Sequence, residues 1–149
     1  MNKLTLVFLG LLALMVQSCD QWPPGNGGNG HGNNNPSIVG EWVWLQSDGG
    51  IYPVIYTPEG QGFQATLKFG GDKTYKLEQS NDVRQFGTYR SGKFQDRATV
   101  ILDRPQGPST FFSVALPMDE NFVEFRGKDT LVLSGTGADM LTYVYVRAD

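Results

Sequence analysis

The chain has 149 residues and a net charge of −3, a size that suits one domain with no clustered Lys and Arg to neutralise a row of phosphates, which argues against nucleic-acid binding. A single cysteine excludes an intramolecular disulfide and a Cys-rich metal site. The single histidine, His31, lies in a Gly/Asn-rich stretch, so the sequence beyond it has no histidine to act as base, triad member or metal ligand.

Residues 1–18 read MNKLTLVFLGLLALMVQS. Lys3 gives a positive start, and Leu4 to Val16 form an apolar run the length of a signal-peptide core and too short for a comfortable membrane span. Val16-Gln17-Ser18-Cys19 resembles the bacterial lipobox. That resemblance implies cleavage before Cys19 and lipid on its sulfur; an ordinary secretory signal with an incidental cysteine is the alternative. Lipidated Cys19 would anchor the protein to a membrane without a transmembrane helix. The implied location is the bacterial cell envelope, with the leaflet left open: Asp20 after the cysteine resembles an inner-membrane retention signal of some enteric bacteria.

Residues 19–36 carry little apolar surface and read as a flexible tether with a mean reach of roughly 20–25 Å. Trp22 suits a membrane interface or is incidental to the tether. His31, with no second ligand nearby, reads as a solvated linker residue.

From Ser37 to Asp149 the pattern has period two, broken by turns every eight to twelve residues. GEWVWLQS (40–47) is a strand with Trp42 and Trp44 on one face. Residues 52–62 form an extended, Pro-interrupted loop or a short edge strand. FQATLKF (63–69) puts Phe63, Ala65, Leu67 and Phe69 on one face. Strands follow at 73–79, with Tyr75 and Leu77 inward, at 83–92 and at 98–104. After a loop at 105–108, TFFSVALP (110–117) reads as another strand, 121–135 as a hairpin turning at Gly127-Lys128-Asp129, and 140–148 as the last strand. No segment has helical spacing with caps. The expected fold is all-β: an antiparallel up-and-down β-barrel of about eight strands, with a small β-sandwich as the alternative.

IVGEWVWLQSDGG, FQATLKFGGDKTYKLEQ, FGTYRSG, DTLVLSG and TYVYVRAD together resemble the small lipocalin-like domain of bacterial lipoproteins, over essentially the whole of 37–149. The resemblance implies a barrel whose first strand carries Gly-x-Trp, here Gly40-Glu41-Trp42, with an arginine near the last strand, here Arg147, closing the barrel over Trp42. It also implies a ligand site at the open end. The chain departs from larger lipocalins in lacking their Thr-Asp-Tyr motif and in being shorter.

Chemistry is thinly represented. Serines and threonines have no histidine to activate them. Gly127-Lys128-Asp129-Thr130 lacks phosphate-loop spacing, and Gly135-Thr136-Gly137 precedes no helix. Glu41, Glu78, Asp103, Asp119, Glu120 and Glu124 mostly fall on outward phases or in turns, where solvated charge is the plain reading; a calcium site at Asp119 and Glu120 is the sharper one. The expectation is therefore a protein that is not an enzyme and uses no cofactor or metal. Aromatics are the richer material. Tyr52, Tyr56, Phe63, Tyr75, Tyr89, Phe112 and Tyr143 are the residues expected to line a site for a small apolar or amphiphilic ligand. The competing expectation is that such side chains fill the barrel and that the protein is an envelope structural module or binds a protein or polysaccharide. The oligomeric state is not legible.

Overall fold

The computed structural model describes residues 36–50, 54–107 and 114–149. The expected signal segment, Cys19 and the tether through residue 35 lie outside the described residues, as do Tyr52 and Phe112.

Nine strands form one antiparallel sheet: β1 (Gly40–Gly49), β2 (Val54–Tyr56), β3 (Ala65–Phe69), β4 (Thr74–Gln79), β5 (Asp82–Phe94), β6 (Arg97–Gln106), β7 (Glu120–Arg126), β8 (Thr130–Gly135) and β9 (Leu141–Arg147). β1 pairs with β3 through its first half and with β9 along its length, which closes eight strands into a barrel. β2 sits outside that ring, paired with the last residues of β1. Closure leaves the eight ring strands with neighbours on both sides, which solves the edge problem of so β-rich a chain.

Alternation along each strand supplies the core. Trp42 and Trp44, Ala65 with Leu67 and Phe69, Tyr75 and Leu77, Val100 and Leu102, Leu131 and Leu133, and Tyr143 and Tyr145 all point inward and are buried. Each buried leucine contributes roughly 1.5–3 kcal/mol. Tight turns set the register. Ser80-Asn81 and Gln95-Asp96 each place two consecutive residues at positive φ (50° and 69°; 50° and 62°), the backbone of the two-residue hairpin loop whose twist matches its strands.

Three departures from the sequence expectation matter. First, a β-bulge at Leu45 interrupts β1: Trp44 pairs with Tyr145 but Gln46 pairs with Val144. Leu45 faces out, as alternation from Trp44 dictates, and the extra residue then flips the phase, so Ser47, not Gln46, faces in. Second, residues 58–61 form a one-turn helix, α1 (Pro58–Gln61). Thr57 caps it, Pro58 starts it and Gly62, at φ 71°, ends it. Third, the strand expected at 110–117 is absent over its described part: residues 114–118 are irregular and fold into the end of the barrel.

Candidate functional site

The barrel has two different ends. At the end where β1 begins, called the floor here, the Arg147 guanidinium carbon lies 4.2 Å from the centroid of the Trp42 ring. Arg147 Nη2 and Nη1 also donate to the Ser37 and Val39 carbonyls at 2.9 and 3.3 Å, and its Nε donates to the Lys128 carbonyl at 3.5 Å. The Trp42 indole N–H donates to the Ile38 carbonyl at 2.7 Å. One arginine thus ties the incoming chain, the β7–β8 turn and the floor tryptophan together.

The other end is the rim, and there the interior is plugged. Residues Val114 to Met118 turn inward, with Ala115 and Pro117 buried. The polar tips of inward side chains hold the plug by its backbone carbonyls. Ser47 Oγ donates to Val114 O at 2.5 Å while accepting from Trp44 Nε1 at 2.9 Å. Tyr145 Oη donates to Ala115 O at 2.9 Å, and Asn121 Nδ2 to Met118 O at 2.5 Å. Main-chain pairing continues the attachment, with Leu102 N–H donating to Asp119 O at 2.7 Å. The bulge at Leu45 is what aims Ser47 at this task.

The residues expected to line a ligand site fall into three groups. Tyr75, Tyr89 and Tyr143 are core, each at most 3% exposed. Tyr89 packs edge-on to Phe69 and donates to the Gly70 carbonyl at 2.9 Å. Tyr56 and Phe63 are half-buried against the core, Phe63 stacking on Trp44 with ring centroids 5.5 Å apart. Tyr52 and Phe112 lie outside the described residues. The five described aromatics therefore pack as core or against it. Sequence reasoning missed Ser47 and Asn121, which hold the plug; a bulge and an inward Asn leave no periodic signal.

Some interior polar atoms have no partner: Tyr75 Oη, Gln85 Oε1 and Asn121 Oδ1. Tyr75 and Gln85 are diagonal neighbours on the inner wall, since Leu77 pairs with Gln85 and Tyr75 with Gly87. Burial pushes the Tyr75 hydroxyl up to about 12, helped by the carboxylates of Asp119 and Asp103. Burial alone pushes Tyr143 up to about 12, and Tyr145 rises well above the ordinary tyrosine value, first through burial and then through Tyr143.

An open recess of about 370 Å3 lies where Gly40, Glu41, Lys68, Gly70, Thr74 and Lys76 meet. Its charges are spent on one another: Lys68 Nζ is 3.2 Å from both Glu41 and Glu78, and Lys76 Nζ is 2.6 Å from Glu78. Hydrogen bonds to Glu78 and Glu41 raise the Lys68 pKa, and the bond from Lys76 lowers that of Glu78. Among the described residues no group of three or more His, Cys, Asp or Glu is placed to hold a metal ion.

Exposed apolar side chains are scattered over the barrel, Leu45, Phe86 and Phe94 among them, and four lie at the rim. Ile55 is 65% exposed and Val54 42%, both on β2; Met118, at the end of the plug, is 41% exposed and Met140, before β9, 40%. Two glycines join them. A Cβ on Gly135 would stand 2.6 Å from Met140 Cβ and 3.6 Å from Met118 Cγ, so both methionines converge there. A Cβ on Gly49, the residue paired with Val54, would stand 2.8 Å from the Met140 carbonyl. Val54, Met140 and Met118 therefore form one strip over a glycine floor.

In comparison with known protein families, curated proteins and solved structures, the chain matches none.

Proposed function

We propose that this protein is a lipid-anchored, lipocalin-like barrel of the bacterial envelope that acts by recognition at its outer surface, without catalysis. The plug carries this reading. The interior side chains whose polar tips would orient a ligand, Ser47, Tyr145 and Asn121, are engaged with the protein's own carbonyls. Trp42, Trp44, Leu67 and Leu131 fill the space between. The apolar strip at the rim, where Val54, Met140 and Met118 gather, is the surface this reading gives to a partner. The described chain enters at the floor, where Ser37 and Val39 meet Arg147. A tether running back to a lipidated Cys19 would leave from that end and turn the rim away from the bilayer.

Native mass spectrometry of the full chain, solubilised in a non-ionic detergent, tests this reading. The expected spectrum is the bare protein after the detergent is stripped. A retained stoichiometric small molecule would overturn it.

A second reading has its own observation. Tyr75 Oη, Gln85 Oε1 and Asn121 Oδ1 are buried without partners, and each such atom costs about 1–3 kcal/mol unless something satisfies it. A small amphiphilic ligand held beneath the plug would do so, with the plug as its lid; an ordered water would do the same. The retained small molecule in the same spectrum is the result that favours this reading.

A further inference from the structure

We infer that Tyr75, Gln85 and Asn121 bind one fixed water molecule beneath the plug, and that this water latches the plug to the barrel wall. The inference rests on the plugged-barrel reading above and adds what the interior holds. The three side chains are 2%, 5% and 0% exposed, and Tyr75 Oη, Gln85 Oε1 and Asn121 Oδ1 make no hydrogen bond within the protein. They come from different walls. Tyr75 and Gln85 stand diagonally on β4 and β5, while Asn121 lies on β7, paired with Val100 of β6. The Tyr75 hydroxyl reaches towards that second wall. Burial first, and then the carboxylates of Asp119 and Asp103, hold its proton on, and Asp119 stands two residues before Asn121. Asn121 already grips the plug by its other end: Nδ2 donates to Met118 O, which leaves Oδ1 as the atom free to accept.

The balance of donors and acceptors selects the occupant. The two amide oxygens only accept, and the Tyr75 hydroxyl can donate. A molecule that gives two hydrogens and takes one satisfies all three atoms. Water does this, and buried waters typically make about three such bonds. A carboxylate brings no hydrogen and would face two oxygens. An ammonium brings no acceptor for the tyrosine proton, and an alcohol has one hydrogen for two oxygens. Gly87, on the inward phase between Gln85 and Tyr89 and paired with Tyr75, puts no side chain into this space. Held there, the water joins Asn121, and through it Met118 at the end of the plug, to the β4–β5 wall.

The test uses the full chain in non-ionic detergent. A crystal structure fine enough to show ordered solvent is expected to place one compact peak at about 2.5–3.2 Å from all three atoms. In solution, Tyr75→Phe removes a ligand of the water and no bond to the plug. Hydrogen exchange of residues 114–118 is nevertheless expected to speed up at least threefold in that variant, while β8 amides keep their protection. Gln85→Met is expected to act in the same direction, and takes the place of Tyr75→Phe if the latter loses its fold. No peak among the three atoms, or plug exchange unchanged in the variants, would overturn the inference, and a bare mass spectrum would then leave the plugged-barrel reading standing. Density for a larger molecule at this place, with the same molecule retained in the spectrum, removes both.

Discussion

Gly40 and Arg147 are fitted to each other: a Cβ on Gly40 would stand 2.5 Å from Arg147 Nη1, and the backbone there has φ of 142°. The glycine of the Gly-x-Trp pattern is required because the arginine passes directly over it on its way to Trp42 and to the Ser37 and Val39 carbonyls.

Arg147→Ala is expected to cost about 1–3 kcal/mol, from a cation–π contact and hydrogen bonds to carbonyls. Arg147→Lys recovers little of this, because an ammonium cannot both stack on the indole and fork between two carbonyls. Gly40→Ala is expected to be destabilising too, but less so when Arg147 is already Ala. The residual cost is the positive φ. Urea unfolding of the two single variants and the double variant measures the coupling, and simple additivity would show that the two residues do not constrain each other.

Loosening the plug is a separate matter from unfolding the barrel. Tyr145→Phe removes the donor to Ala115 O, and Ser47→Ala removes the link between Trp44 and Val114 O. Each change is expected to cost about 1–2 kcal/mol. Hydrogen exchange at residues 114–118 should speed up by at least tenfold while β8 amides keep their protection. Uniform acceleration over the whole barrel would mean that the plug is no independent unit.

The buried tyrosines set the behaviour in alkali. Tyr75 and Tyr143 are raised from about 10 to about 12 in the folded protein, so the native state holds these protons more tightly than the unfolded one. Their contribution is fully present below pH 10 and is lost as pH rises towards 12, at roughly 2–3 kcal/mol for each group. Thermal stability followed with pH should therefore fall steeply between pH 10 and 12. A Tyr143→Phe variant should fall less steeply. A flat profile over that window would contradict the burial of these hydroxyls.

Cys19→Ala is expected to move the protein from the membrane to the soluble fraction in the cells that make it. Equal membrane association of the two forms would show that lipid on Cys19 is not what holds it.

The barrel was legible because its signal is local. Ala65, Leu67 and Phe69 alternate with Gln64, Thr66 and Lys68, and Gly40-Glu41-Trp42 faces Arg147 as the lipocalin-like pattern implies. What escaped the sequence depends on single residues or distant partners. The Leu45 bulge reverses a phase without any change in composition, so nothing in GEWVWLQS announces that Ser47 and not Gln46 turns inward. VALP reads as the end of a strand because its apolar residues resemble those of its neighbours; only the barrel mouth explains why they leave the sheet. The turn of helix at 58–61 was missed although its signals are local. Thr57, Pro58, Glu59 and Gly62 spell a start, a first turn and a stop, but the segment is too short to show helical periodicity. The rim strip was half legible. Val54 and Ile55 lie in the segment that reads as a Pro-interrupted loop or short edge strand, whereas Met118 and Met140 join them only through the fold.

β1 and β9 are neighbours along the barrel wall, and Ala148 N–H donates to the Glu41 carbonyl at 2.9 Å, so residues 37 and 149 emerge side by side at the floor. A short linker could splice these two points, and new ends cut at the Ser80-Asn81 hairpin would yield a circular permutant with the same walls. Both ends of such a rearranged chain would leave from the pole opposite the floor, beside the methionine face.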